Sequence, residues 1–175
     1  AEPELTISEV EHITGELATS PILDLRKDVQ VWWLMHFFEL EKAKIQIAQD
    51  LEEQALNTLT DCENSLMLEV EKATNKTQEN AVTGNDPHNS SPTNFLTLKI
   101  EYFSELLNEC RYMKAQLLAR RTASLAQARR EYEKILGENA VLKLQEEHPS
   151  TWQILASLES ISISVSYTHL TLPTT

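Results

Sequence analysis

The sequence predicts an all-α protein: a long antiparallel two-helix hairpin, coiled-coil-like, with short flanking helices at its aromatic end. Only 3 of the 175 residues are Gly, and because turns and strands depend on Gly, its scarcity favours helices. Two long segments with apolar residues at helical spacing are separated by residues 79–94, where Gly, Pro, Asn, Asp and Ser crowd together. Such a stretch is typical of a flexible polar loop. Two long helices joined by one loop are therefore expected to lie antiparallel.

The N-terminal segment, residues 1–19, carries five Glu and no Lys or Arg. Its apolar residues recur at steps of three and four, which is typical of an amphipathic helix. Gly15 and its polar neighbours weaken that pattern. Two interpretations stay open, an acidic N-terminal arm and a frayed helix.

The first long helix is predicted over residues 20–78. Ser20-Pro21 is a typical start, because Ser caps helices and Pro is tolerated at the first helical position. The apolar residues form a stripe whose steps average close to those of an eleven-residue repeat. This predicts a nearly straight helix, about 85 Å long at about 1.5 Å per residue. The stripe consists of Leu40, Ala43, Ile47, Leu51, Ala55, Leu59, Cys62, Leu66, Val70 and Ala73.

The second long helix is predicted over residues 95–148, and Pro149 ends it because the residue before a proline is disfavoured in a helix. A short helix is predicted over 149–159, since Ser150 with Gln153 three residues later reads as a capping box. The apolar stripe of the second helix opens with Phe95, Leu98, Tyr102, Leu106, Cys110, Met113 and Leu117.

The C-terminal tail, residues 160–175, differs from the rest of the chain. Ile161 to Tyr167 alternates apolar and polar residues, which is a strand pattern, but no other segment offers a partner strand. The last residues resemble tails that arise when sequencing-adapter DNA is translated. We therefore treat 160–175 as non-native-looking and exclude it from functional argument.

The aromatic stretch, residues 29–40, is apolar on every side of the predicted helix. A helix of that kind needs cover all round. Antiparallel pairing places residues 135–142 on one side of it, and the short helix with Trp152 is expected to supply further cover. Any aromatic side chain left exposed is a candidate for binding a partner. The candidates are Trp32, Trp33, Phe37, Phe38 and Trp152.

A basic patch lies in the second long helix, where residues 111–130 contain no acid. The hairpin would set it against residues 43–62, which hold four acids and one Lys. Two hypotheses stay open: charge pairing that fixes the orientation of the helices, and a docking patch for an acidic partner such as a tubulin tail or nucleic acid. The patch consists of Arg111, Lys114, Arg120, Arg121, Arg129 and Arg130.

Motifs for catalysis or cofactor binding are not found in the sequence. Glu9 and His12 form a Glu-x-x-His unit, but a di-iron site needs a second copy, so we expect no metal and no cofactor. His36 is interpreted as a partly buried, hydrogen-bonded packing residue. Cys62 and Cys110 are interpreted as small buried side chains, with a disulfide between them as the alternative.

Ser91 precedes Pro92 in the predicted loop and is a candidate phosphorylation site, because a phosphate there would lie beside a helix start. The alternative is an unmodified Ser that caps the helix. The net charge of −12 disfavours binding to nucleic acid or to an anionic membrane surface. The apolar run at 31–38 is shorter than the roughly 20 residues of a membrane-spanning helix.

The expected function is that of a coiled-coil scaffold segment of a larger intracellular, cytoplasmic protein, of the cytoskeletal or ciliary kind. It would mediate protein–protein interaction without catalysis. Two alternatives belong to other classes. One is a module that self-associates into a dimer or four-helix bundle through its aromatic end. The other is a helical bundle that binds membrane surfaces.

Overall fold

The computed structural model describes residues 6–19, 29–82, 91–137 and 149–171. These residues are helical apart from short turns, and no strand occurs among them, so the all-α prediction is confirmed. The elements are α1 (Ile7–Thr19), α2 (Val29–Ala48), α3 (Glu52–Val82), α4 (Ser91–Ala119), a 3₁₀ turn (Thr122–Ser124), α5 (Leu125–Leu136) and α6 (Thr151–Thr171).

The chain divides into two compact units, residues 1–107 and 108–175. The first unit contains α1, α2, α3 and the first part of α4. The second unit contains the remainder of α4, the 3₁₀ turn, α5 and α6. The predicted long two-helix hairpin is not confirmed, because each unit has a bend at a place where the prediction has a continuous helix.

The first bend lies at residues 49–51, between α2 and α3. Asp50 has a φ of 59°, and two backbone hydrogen bonds close the end of α2: Asp50 N–H donates to Ile47 O (3.1 Å) and Leu51 N–H to Gln46 O (2.9 Å). These bonds and the left-handed residue define a Schellman motif. The predicted continuous helix over 20–78 is therefore wrong.

Beyond this bend α3 returns along α2, and the two helices pack together. The Thr58 hydroxyl donates to the Gln46 side-chain oxygen (2.9 Å), and the Cys62 thiol lies 3.9 Å from the carbonyl oxygen of His36. In a single continuous helix over 20–78, the two residues of each pair would lie far apart along the helix axis. Glu52 and Glu53 occupy the first turn of α3, where the helix dipole favours negative charge.

The apolar stripe predicted for the first long helix does mark the buried face, although the helix bends. Most of its members are buried and the rest are half-buried, because a fold-back turns the same face of both arms inward. Its buried members are Leu40, Ala43, Ala55, Leu59, Cys62, Leu66 and Ala73, and its half-buried members are Ile47, Leu51 and Val70.

The acidic N-terminal segment is helical over Ile7–Thr19 and packs against α2. Val10 is fully buried, and Lys42 of α2 pairs with Glu11 at 3.1 Å. A capping box starts α1: Thr6 N–H donates to the Glu9 carboxylate (2.8 Å) and Glu9 N–H to the Thr6 hydroxyl (3.3 Å). The backbone hydrogen bond from Thr6, followed by that from its hydroxyl, lowers the pKa of Glu9.

The second bend separates α4 from α5 at residues 120–124, so the predicted continuous helix over 95–148 is also wrong. α5 then returns to α4, as the ring contact between Tyr112 and Tyr132 shows (centroids 5.7 Å apart). α5 ends at Gly137, which has a φ of 75° and a ψ of 179°. Residues 138–148 lie outside the described part of the chain.

The last helix, α6, contains the segment predicted as a strand. The predicted capping box at its start is confirmed: Ser150 N–H donates to the Gln153 side chain (3.0 Å) and Gln153 N–H to the Ser150 hydroxyl (3.3 Å). The strand prediction is wrong because a lone strand leaves its backbone groups unpaired. A helix pairs them, and hydroxyls such as that of Ser164, which donates to Ser160 O (2.9 Å), bond back to it.

The predicted loop over 79–94 is shorter than expected, because α3 continues to Val82 and α4 already begins at Ser91. Residues 83–90 lie outside the described residues. Cys62 and Cys110 are both buried thiols, as expected of small buried side chains. They belong to different units, so the alternative of a disulfide between them stays a prediction.

Candidate functional site

The aromatic stretch forms two ring pairs along α2, each between residues four apart, since such residues lie on one helical face. Trp32 stacks on His36 (centroids 6.1 Å) and Trp33 on Phe37 (5.4 Å). Phe38 lies edge-on to Phe37 at 6.0 Å. Of the four partner-binding candidates in α2, Trp33, Phe37 and Phe38 are therefore in ring contact, whereas Trp32 pairs with His36. All four are half-buried.

The cover of this cluster comes from α4 of the same unit. Phe103 lies edge-on to His36 (5.7 Å) and Tyr102 edge-on to Trp33 (6.5 Å). The fifth candidate, Trp152, belongs to the second unit, where its ring lies 5.6 Å from that of Tyr112. The sequence predicts that residues 135–142 and Trp152 cover the cluster. That pairing assumes two continuous antiparallel helices, and the two bends show that the helices are not continuous.

Tyr102 and Leu98 are the residues that the sequence pattern placed on the wrong side of a helix. Both belong to the predicted buried stripe, yet Tyr102 is 55% exposed and Leu98 49% exposed. Leu106, Cys110 and Leu117 of the same stripe are buried as predicted, and Phe103 and Leu107 are buried as well. At the start of α4 the buried face therefore follows Phe103 and Leu107, which are four residues apart, and not Leu98 and Tyr102. Both series have helical spacing.

His36 packs between the rings of Trp32 and Phe103, as predicted, but at 5% exposure it is more deeply buried than expected. Within the described residues its Nε2 has no hydrogen-bond partner, so the predicted hydrogen bond is not found at that atom. Burying a polar atom without a partner disfavours the fold by about 1–3 kcal/mol. The contacts of the two flanking rings offset that penalty, since aromatic pairs contribute about 0.5–1.5 kcal/mol each beyond area burial.

A half-buried ion pair joins α3 and α4 beside the aromatic cluster. Lys99 lies 2.8 Å from a Glu69 carboxylate oxygen, and its Nζ is 5.4 Å from the centre of the Phe103 ring. Burial disfavours the charged form of Glu69, but hydrogen bonds and charges from Lys99 and Lys72 outweigh it and lower the pKa of the carboxyl. This contact ties α4 to α3 with Phe103 turned inward.

The aromatic core of the second unit is a separate cluster. Tyr132 is 1% exposed and contacts Tyr112, which in turn contacts Trp152. Burial and the negative charge of Glu159 both raise the pKa of Tyr112 and that of Tyr132. These phenols are therefore held neutral in the fold.

The basic patch is distributed around the second bend. Arg120, Arg121, Arg129 and Arg130 are exposed, whereas Arg111 and Lys114 are half-buried. Lys114 reaches across to Glu131 of α5 (3.6 Å), and Arg129 pairs with Glu133 (2.9 Å). At least part of the patch is thus paired with carboxylates of its own unit. The predicted charge pairing had named only the acids of residues 43–62.

Charge is unevenly divided between the two units. Residues 1–107 hold 20 of the 27 acids but only 7 of the 15 Lys and Arg, whereas 108–175 hold 7 acids and 8 bases. The first unit therefore carries the net negative charge of the chain. On α4 of that unit, Glu101 and Glu105 are exposed next to Tyr102.

No protein family, curated protein or solved structure matches the chain. Within the described ranges no group of three or more His, Cys, Asp or Glu is placed to hold a metal ion. The described helices include none that is both long and apolar enough to cross a membrane. Ser91, the predicted phosphorylation site, is the first residue of α4 and not part of a loop. Its modification stays a prediction.

Proposed function

We propose that this chain is a non-enzymatic helical scaffold segment that mediates protein–protein interaction, and that the first unit contains its binding surface. The observation that carries the proposal is the exposure of Tyr102 and Leu98 beside the half-buried aromatic cluster of α2. Contiguous exposed apolar and aromatic side chains on a soluble surface mark interaction sites, and Tyr and Trp are the residue types most often decisive in them.

The test is quantitative affinity capture with the full chain and with three variants. Tyr102→Ser and Leu98→Ser change exposed side chains, so both should fold. Leu68→Ser, at a residue of α3 that is 54% exposed, is the matched control. We expect the first two variants to lose the captured proteins and the control to retain them. Equal capture by all three variants would refute the assignment of the surface.

Self-association is a second candidate, favoured by one feature of α6. Four exposed apolar residues are spaced by four, three and four, as in one strand of a coiled coil. They are Ile154, Leu158, Ile161 and Val165. Ile161 and Val165 lie in the tail 160–175, which we excluded from functional argument, so the candidate rests on Ile154 and Leu158. Sedimentation equilibrium of the full chain and of a chain ending at residue 159 tests it. A dimer that the shortened chain retains would support self-association, and a dimer that is lost with the tail would refute it.

A further inference from the structure

One face of α4 combines apolar and acidic side chains in an order that indicates what it binds. Leu98, Glu101, Tyr102 and Glu105 follow one another at steps of three, one and three, and such residues share a helical face. All four are exposed. Trp33 of α2 lies edge-on to Tyr102 at 6.5 Å, so the apolar part of this surface continues from α4 onto α2.

The arrangement suits an elongated apolar ligand that lies along a helix. A surface formed by two adjacent helices accepts an amphipathic helix, whose side chains at every third or fourth position contact both. Trp33 and Tyr102 are rigid and large, and such residues contribute most of the binding energy in protein interfaces.

The charges beside this surface select the sign of the ligand. Within the described residues, neither Glu101 nor Glu105 has an ion-pair partner, and the unit that carries them holds 20 acids against 7 bases. An acidic helix would be repelled and a basic one attracted. An Arg or Lys of the ligand can also lie over the exposed Tyr102 ring, as Lys99 of the same helix lies 5.4 Å from the centre of the Phe103 ring.

We propose that the surface formed by Leu98, Tyr102 and Trp33, flanked by Glu101 and Glu105, binds a basic amphipathic helix of a partner protein. This inference rests on the proposed function and adds the chemistry of the partner to it. The partner helix presents Leu or Ile to the apolar side chains and Lys or Arg to the two carboxylates.

The experiment measures binding of labelled amphipathic helical peptides to the full chain by fluorescence anisotropy. Three peptides share one Leu pattern and differ in their polar residues, which are Lys, Gln or Glu. Glu101→Gln with Glu105→Gln is the charge variant, and Leu98→Ser is the apolar variant. Asp61→Asn with Glu71→Gln, both exposed on α3, is the control, because it changes the net charge equally.

We expect the Lys peptide to bind one-to-one and the Glu peptide not to bind. The charge variant should weaken binding by about threefold to tenfold, as two exposed ion pairs allow, and the control should leave it unchanged. High salt should remove the difference between the charge variant and the wild type. Equal weakening by the control would refute the proposal, since the attraction would then come from net charge alone.

Two further outcomes separate this inference from the proposed function. If the Gln and Glu peptides bind as well as the Lys peptide and Leu98→Ser abolishes all binding, the surface is an interaction site but the basic partner is wrong. If Leu98→Ser also leaves binding unchanged, the assignment of this surface fails as well. Concentration-dependent dimerisation that Leu98→Ser removes would identify a second copy of the chain as the occupant and overturn the proposal.

Discussion

The bend at Asp50 offers the sharpest test of the fold, because replacing this residue has opposite effects in a bend and in a continuous helix. A left-handed conformation disfavours residues with a Cβ by roughly 1–2 kcal/mol, and Asp less than most because its side chain can bond locally. Asp50 has a φ of 59°. We therefore expect Asp50→Ala to destabilise the protein by about 1 kcal/mol.

Asp50→Gly should have the opposite effect. Gly relieves the steric strain of the left-handed conformation but adds about 0.5–1 kcal/mol of chain entropy to the unfolded state. The net expectation is stabilisation by about 0.5 kcal/mol. In a continuous helix the order inverts, because Ala is about 0.7 kcal/mol more favourable than Asp there and Gly about 0.3 kcal/mol less favourable.

The assay is urea unfolding followed by circular dichroism, with midpoints compared at a common m-value. Asp61, exposed in the interior of α3, is the matched control, and its Ala variant should be more stable than its Gly variant. If Asp50→Ala is also more stable than Asp50→Gly, the bend and the fold-back of α3 onto α2 are refuted.

Four more predictions concern single residues. Gly137→Ala should destabilise the second unit by about 1–3 kcal/mol, because its backbone conformation is restricted to Gly. Gly15→Ala in α1, where an added Cβ meets nothing within 4 Å, should stabilise the protein by about 0.5–1 kcal/mol. Thermal unfolding measures both variants. If both changed stability in the same direction, the Gly-specific backbone conformation at the end of α5 would be refuted. Glu69 has a lowered pKa in the fold. Its contribution to folding stability is therefore fully present above the ordinary carboxyl pKa of about 4.3 and is lost as the pH falls through the lowered pKa of the folded state. Wild type should therefore lose stability between about pH 5 and pH 3 more steeply than Glu69→Gln, and parallel curves from chemical unfolding would exclude this role. Tyr132 has a raised pKa in the fold, so above about pH 10 the unfolded state ionises first and wild-type stability should fall by up to about 1.4 kcal/mol per pH unit. Tyr132→Phe should remove that component of the pH slope, which urea midpoints at pH 8 and above pH 10 would show.

The buried face of the first unit was predictable, whereas the direction of its helices was not. The stripe from Leu40 to Ala73 follows from spacing alone, because a helix must turn its apolar side inward. That spacing passes through Asp50 without interruption, since a Schellman motif occupies only a few residues. The acidic pair Glu52 and Glu53 is typical of a helix start and was the one local signal of the bend.

The candidate site was predictable in part. The concentration of aromatic residues in the sequence of α2 predicted the aromatic cluster. The four-residue spacing of Trp33 and Phe37 agrees with the stacking of their rings. Which side of α4 covers that cluster could not be read from the pattern, because the stripe with Tyr102 and the stripe with Phe103 have equal periodicity. The tertiary contact between Lys99 and Glu69 orients α4 so that Phe103 faces inward. A contact between two helices of this kind cannot be predicted from the periodicity of one helix.

The two bends also bear on how the chain folds. The hydrogen-bonded pairs between α2 and α3 are 12 and 26 residues apart along the chain. Such local contacts lose little entropy on loop closure and form on a timescale of about microseconds to milliseconds. During synthesis α2 can therefore fold onto α3 as soon as α3 has left the ribosome, before α4 has emerged. The backbone of the aromatic stretch then already contacts α3 at Cys62, whereas its rings gain the cover of Phe103 and Tyr102 only when α4 follows. The interval between these two steps is when the rings are available for aggregation.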